Sequence, residues 1–304
     1  MRVFVTGASG WIGSAVVSEL LVAGHEVLGL ARSDGSADKV AALGARVHRG
    51  SLDDVESLRA GAEQADGVVH LGYHHDFSQM ELAAQIDRRA IEAFGDVLAE
   101  TGGPLAIASG VVGLGGGGRV ATELDSPDAS LHPRVANAAA ALALADRGVR
   151  SMAVRFAPTV HGPGDHGFVA TLTDLARRTG FAGYVEDGAS RWPAVNRLDA
   201  AVLVRLGIES APAGSVLHAV DEEGIPTREI AEAIGRSAGV PTRSVPTAQV
   251  GEHFGWIGRF FSMDSAVSSD LTRGLLGWKP VQPGLLAVID AGGYADVVPH
   301  AQAG

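Results

Sequence analysis

The chain has 304 residues, of which 46% are hydrophobic and 19% charged, and a formal net charge of −11; this is the make-up of a globular protein, and the acidic balance argues against a nucleic-acid partner, which needs a basic face. It has no cysteine, which excludes disulfides, thiolate catalysis and cysteine-zinc sites. Lys39 and Lys279 are the two lysines and Tyr73, Tyr184 and Tyr294 the three tyrosines, so no mechanism can draw on a lysine between residues 40 and 278.

Residues 2–6 are apolar and β-branched and read as a buried strand. A helix over 14–23 follows, stopped by Gly24. Strand 25–31, helix 37–43 and strand 46–49 come next, then a helix over 53–60 with Ser51 near its cap. Strand 67–71 leads to a long helix over 81–101, with Leu82, Ile86, Ile91, Phe94 and Leu98 at its apolar positions. Strand 105–109, an alanine-rich helix over 133–147 with Pro133 in its first turn, and strand 151–156 close the series. This alternation predicts right-handed βαβ units and a parallel sheet covered on both faces.

The second half is less regular. Helices are expected over 169–178 and 199–209, a strand over 216–220, and a helix over 227–238 capped by Thr227. Segment 250–277 carries Phe254, Trp256, Phe260, Phe261 and Leu271, which suggests a pocket lining for a lipophilic or aromatic molecule. Met1 runs at once into Val3, Phe4 and Val5, and no run approaches the roughly 20 apolar residues that span a bilayer. A cytoplasmic protein with no membrane partner is expected.

The strongest motif is Thr6-Gly7-Ala8-Ser9-Gly10-Trp11-Ile12-Gly13, placed between the first strand and the first helix. The first glycine permits a tight turn, the second admits a pyrophosphate, and the third lets the helix pack closely. The spacing is GxxGxxG. Dinucleotide choice is read at the end of the second strand, where an acid favours NAD. Here the chain reads Leu30-Ala31-Arg32-Ser33-Asp34. Ala31 stands where the acid is expected, and Arg32 and Ser33 suit a 2′-phosphate, which favours NADP(H) over NAD(H).

TGASGWIG near the start, VVHLG after the fourth strand, RFAPTVHGPGD after the sixth and WPAVNRLDAAVLV later together resemble the extended short-chain dehydrogenase/reductase family, over roughly residues 1–290. That family holds NAD(P)-dependent epimerases, dehydratases and 3β-hydroxysteroid-dehydrogenase-like enzymes. The resemblance implies an α/β fold, a Rossmann-type doubly wound parallel sheet with a smaller C-terminal substrate subdomain. Residues 1–160, with 190–222 returning to them, would form the first part, and 161–189 with 223–304 the second. It implies that Gly7, Ser9, Gly10, Trp11, Ile12 and Gly13 hold the pyrophosphate. Ser51 and Leu52 would lie near adenine, with Ser51 replacing the family's aspartate. Leu71, Gly72 and Tyr73 would follow the ribose and phosphates, and Phe156, Ala157 and Pro158 would lie by the nicotinamide. It also implies a homodimer through the fourth and fifth helices.

The family's general acid is the tyrosine of Tyr-x-x-x-Lys, on the helix after the fifth strand. Here that helix reads Pro133-Arg134-Val135-Ala136-Asn137 and contains neither residue. No shift restores the pair, because residues 74–183 contain no tyrosine. The remaining candidates are few. Tyr73 offers a phenol, although a loop aromatic more often positions than reacts. His74 or His75 can donate a proton near neutrality, with one of the two expected to enter the pocket, as can His161 beside Gly-Pro-Gly-Asp. Arg134 is a poor acid but can polarise a carbonyl. Ser109 stands near the family's active-site Ser/Thr, with Gly110 one residue on. His161, Asp165 and His166 lack a distinctive metal-ligand spacing, so no metal is expected. Arg191-Trp192-Pro193 is either a substrate anchor or core.

Three readings follow. The first is an NADP(H)-dependent oxidoreductase acting on a small-molecule carbonyl or alcohol through a non-standard proton donor. The second is a redox sensor that binds NADP(H) without turnover. The third, least favoured because its acid/base partners are not found, is a sugar-nucleotide epimerase or dehydratase.

Overall fold

The computed structural model of the chain describes residues 1–74, 79–127 and 133–295. Its first half runs β1 (Arg2–Thr6), α1 (Trp11–Val22), β2 (Glu26–Ala31), α2 (Asp34–Ala42), β3 (Arg46–Arg49), α3 (Val55–Glu63), β4 (Gly67–His70), α4 (Met80–Ala99), β5 (Pro104–Gly110), α5 (Pro133–Ala143) and β6 (Arg150–Phe156). The second half adds β7 (Thr159–His161), α6 (Phe168–Thr179), β8 (Ala182–Val185), β9 (Arg191–Asn196), α7 (Arg197–Ser210), β10 (Ser215–Ala219), β11 (Glu222–Pro226), α8 (Thr227–Ala238) and β12 (Thr242–Val245). Four short helices follow: α9 (Val250–Phe254), α10 (Trp256–Phe261), α11 (Asp270–Leu276) and α12 (Leu285–Asp290).

Seven strands form one parallel sheet in the order β10-β6-β5-β4-β1-β2-β3. The order turns outward from β1 in both directions, the doubly wound arrangement that opens a crevice at the strands' carboxyl ends. Alternation along β1 explains why both faces are covered. Val3 and Val5 enter one core with Val17, Leu20, Leu203 and Ile208, while Phe4 enters the other with Leu58, Phe94 and Leu98. Each such side chain, fully buried, contributes about 1.5–3 kcal/mol.

A third core gathers Trp192, Ile230, Ile234, Phe254, Phe261, Leu285 and Tyr294. It lies around the sheets β11-β9-β7 and β12-β8. Segment 190–222 therefore splits. β10 returns to the main sheet, whereas β9 pairs with β7 and β11 outside it.

Several local expectations change. Ser33 closes a capping box with Ser36, so α2 begins at Asp34. Asp54, not Ser51, caps α3 by accepting from Ser57 N at 3.1 Å. Pro226 takes the cap position of α8, because the Thr227 hydroxyl instead donates to the Gly188 carbonyl. The apolar residues of 250–277 do not share one pocket lining: Phe254 and Phe261 are core, while Leu271 is 49% exposed.

Candidate functional site

The loop from β1 to α1 forms the floor of the crevice. Gly7 has φ +68°, and a Cβ there would lie 2.8 Å from Gly72 N on the loop after β4. A Cβ at Gly13 would lie 2.0 Å from the Gly7 carbonyl oxygen. The third glycine thus serves the turn itself, by letting the first turn of α1 sit on the loop. Gly10 N donates to Gly7 O at 2.9 Å, and no side chain caps α1, so its leading N–H groups face the crevice. A backbone cradle that any side chain would fill suits the pyrophosphate of a dinucleotide.

A cleft of about 610 Å³ runs over this floor. Gly7, Ser9, Gly10, Trp11, Ile12, Gly13, Arg32, Ser51, Leu52, Leu71, Gly72 and Tyr73 line it, all of them cofactor candidates. Ser33 is not a lining residue, since its hydroxyl is turned back into the α2 cap; Ser36, one turn on, lines the cleft instead. Arg32 is exposed on the rim. Asp34, the acid that could oppose a phosphate there, is ion-paired with Arg49. Phe156, Ala157 and Pro158 end β6 away from the lining; Phe156 and Ala157 are buried in the sheet core.

At the other end the cleft reaches Tyr73, His74, Ala108 and His166. Arg134, in the first turn of α5, lies over the Tyr73 ring, 3.9 Å from its centroid, and donates to the Ala108 carbonyl at 3.1 Å. Burial holds the Tyr73 phenol above its ordinary value; Arg134 opposes that shift and Asp87 adds to it. Burial pulls the Arg134 guanidinium down, and Asp87 and Tyr73 pull it up. A phenol beside a cation is thus present, assembled from two elements rather than from one helix.

The other candidates fall elsewhere. His75 lies outside the described residues. Ser109 is half-buried in β5 beside Arg155 and is not part of the cleft lining. His161 is fully buried at the end of β7, its Nε2 3.6 Å from Glu222, and does not reach the cleft. Among the described residues no three His, Asp or Glu side chains converge on a metal position. Arg191 is no substrate anchor here. It grips Asp264 through two bonds of 2.8 and 2.7 Å, and Trp192 is core. His166 is the histidine of that loop that meets the cleft, set edge-on to Trp11 at 5.6 Å.

Sequence reasoning passed over Leu30, Ser36, Gly50, Ala108 and, as a cleft group, His166. A signal existed for Ser36, because Ser33-x-x-Ser36 is a capping pattern that turns the second serine toward the strand end. It existed for His166 too, since a strand residue such as His161 is far more often core than a loop residue.

The description "NAD dependent epimerase/dehydratase family" attaches to a family model that matches residues 3–102. An uncharacterized protein of Schizosaccharomyces pombe is 44% identical over 97% of this chain and 100% of that one. A Streptomyces protein named 3-diazoavenalumate denitrifying reductase is 28% identical over 93% of this chain and 97% of that one. Among solved structures, the Thermus thermophilus UDP-glucose 4-epimerase in complex with NAD superposes with a TM-score of 0.75. It is 22% identical, over 98% of this chain and 100% of that one.

Proposed function

The chain belongs to the NAD dependent epimerase/dehydratase family, and from that premise we propose that it is an NADP(H)-dependent reductase of small-molecule carbonyls in which Tyr73 is the proton donor. One observation carries the reading: Arg134 stands over the Tyr73 ring at the end of a cleft whose floor fits a dinucleotide. When bound, NADPH supplies the hydride to the carbonyl carbon. The Tyr73 hydroxyl gives its proton to the carbonyl oxygen as charge builds there, so the product is the alcohol. Arg134 then faces a phenolate, and a cation at that place lowers the cost of the transfer. The preference for NADP(H) rests on Arg32 at the rim and on the engagement of Asp34 by Arg49.

The same reading carries a homodimer through α4 and α5, supported by an open groove of about 460 Å³ between them lined by Ala84 and Ala136 among others. A monomeric mass by light scattering at micromolar concentration overturns the dimer. The test of the activity is NADPH oxidation against a panel of ketones, aldehydes and imines. Turnover supports the reductase. Tight NADPH binding with no turnover on the whole panel favours a sensor instead.

A further inference from the structure

A buried polar chain runs behind the cleft and ends on a carboxylate that no proton-transfer step uses. Asp87 points inward from α4 and is 6% exposed. His70 of β4 meets its Oδ1 at 3.2 Å through Nε2. The other ring nitrogen of His70 lies 2.7 Å from Thr6 Oγ1, which accepts from Gly72 N at 3.0 Å. A carboxylate can only accept, so Nε2–H of His70 faces Asp87, while the Thr6 hydroxyl accepts from Gly72 N–H and pairs with His70 Nδ1. On its other side Asp87 accepts from Asn137 Nδ2 at 2.7 Å, and Asn137 also donates to Ala84 O at 2.8 Å.

A buried anion is costly unless it is hydrogen-bonded and balanced. Two hydrogen bonds reach Asp87, and the balancing charge comes from α5. Asn137 sits three residues after Arg134 on that helix, so the same face that grips Asp87 presents the guanidinium. Among the described residues, the charges acting on Asp87 are His70 from β4 and Arg134 from α5, and those acting on Tyr73 are Arg134 and Asp87; His74, which pairs with Asp53 at 3.3 Å, lines the same small cavity as His70, Tyr73 and Asp87. Burial alone would raise the Asp87 carboxyl; the His70 hydrogen bond, the charges of His70 and Arg134, and Asn137 outweigh it and hold it low.

We propose that Asp87 is a positioning residue for Tyr73. Through His70 and Thr6 it braces Gly72, the residue before Tyr73, and its carboxylate opposes Arg134 in the field on the phenol. The consequence for turnover rests on Tyr73 being the donor; the coupling itself does not.

The test is a near-ultraviolet phenolate titration, which needs no substrate. With three tyrosines in the chain, subtracting the Tyr73→Phe curve isolates Tyr73. In Asp87→Asn the Tyr73 midpoint is expected to fall by about one pH unit, because the phenol loses a nearby anion that opposes its ionisation. An unchanged midpoint in a folded Asp87→Asn overturns the proposal. If Asp87→Asn does not fold, the double variant Asp87→Asn/Arg134→Gln leaves no unpaired buried charge and replaces it. Arg134→Gln alone should raise the midpoint and the double variant should bring it back toward wild type. A double variant no different from Arg134→Gln overturns the proposal. Full turnover in Tyr73→Phe together with a shifted midpoint in Asp87→Asn removes the donor reading and supports the coupling.

Discussion

Arg134 meets Tyr73 face-on, with the guanidinium carbon 3.9 Å from the ring centroid and one NH2 group bound to the Ala108 carbonyl at 3.1 Å. That carbonyl belongs to the cleft lining, so the cation is fixed between the phenol and the cleft wall rather than left to swing. A guanidinium is planar and permanently charged, and both properties suit this place better than an ammonium would.

Replacing the phenol should therefore separate chemistry from binding. Tyr73→Phe keeps the ring and its stacking and removes one hydroxyl. With a turned-over carbonyl in hand, kcat is expected to fall about 100- to 10,000-fold, the usual worth of a positioned acid. The NADPH dissociation constant, read by fluorescence, should stay within about threefold, since removing one uncharged hydroxyl costs little binding free energy. A large rise in that constant with kcat unchanged would assign Tyr73 to the cofactor instead.

The rim arginine makes a second prediction. Arg32→Ala should weaken NADPH binding about tenfold or more while leaving NADH within about twofold, because a charge-assisted contact to a phosphate is worth about 1.5–3 kcal/mol. Arg32→Glu should reverse the preference by adding an acceptor for a ribose hydroxyl. Equal losses for both cofactors in Arg32→Ala would remove the 2′-phosphate assignment.

The sequence made the sheet legible through β1, β2, β4 and β6, short apolar runs that alternate with helical stretches as buried parallel strands do. It made the glycine loop legible because Gly7 and Gly13 obey backbone sterics that any sequence must obey. It did not show that Arg134 and Tyr73 meet. They are sixty-one positions apart on different elements, and that approach depends on how α5 docks against α4. Nor did it show the fate of Arg191. A rim arginine and one locked to Asp264 look alike until the 264 loop is placed. What separates His161 from His166 is that β7 ends at the first and leaves the second on the loop that meets the cleft.

Backbone sterics give the third prediction. Gly13→Ala places a methyl 2.0 Å from the Gly7 carbonyl oxygen, and neither atom belongs to a flexible side chain. The loop must open, so NADPH binding should be lost, with a destabilisation of about 1–3 kcal/mol seen in denaturant titration. Gly10→Ala meets the same oxygen at 3.1 Å and should be milder in both readouts. Equal behaviour of the two variants would contradict the loop geometry.

Stability should carry a pH signature from Asp165. Burial raises its carboxyl above the ordinary value, against the opposing hydrogen bonds from Tyr294 at 2.7 Å and Gly167 N at 2.8 Å. An acid whose folded value is raised helps the fold at pH below its unfolded value, and that help is lost as pH rises through the folded value. Asp165→Asn keeps an acceptor and removes the titration. Its Tm relative to wild type should therefore be higher at neutral pH than near pH 4, the region of the ordinary value of 3.8. A difference that stays flat with pH would show that the carboxyl does not titrate with folding.

Trp11 ties the cofactor floor to the second half of the chain. Its indole Nε1 donates to Val160 O at 2.6 Å, Arg197 lies 4.2 Å over its ring, and His166 meets its edge. Val160 precedes the buried His161, so the glycine loop on the cleft floor leans on the strand leading to the third core. Trp11→Phe keeps a ring and loses the donor, worth about 1 kcal/mol, so the NADPH dissociation constant should rise about fivefold. The same loss should lower Tm by about 2–4 °C for a chain of this size. Trp11→Ala should exceed both effects by also stripping the surface under Arg197. A fall in Tm with unchanged NADPH affinity would make the indole a brace for the fold alone.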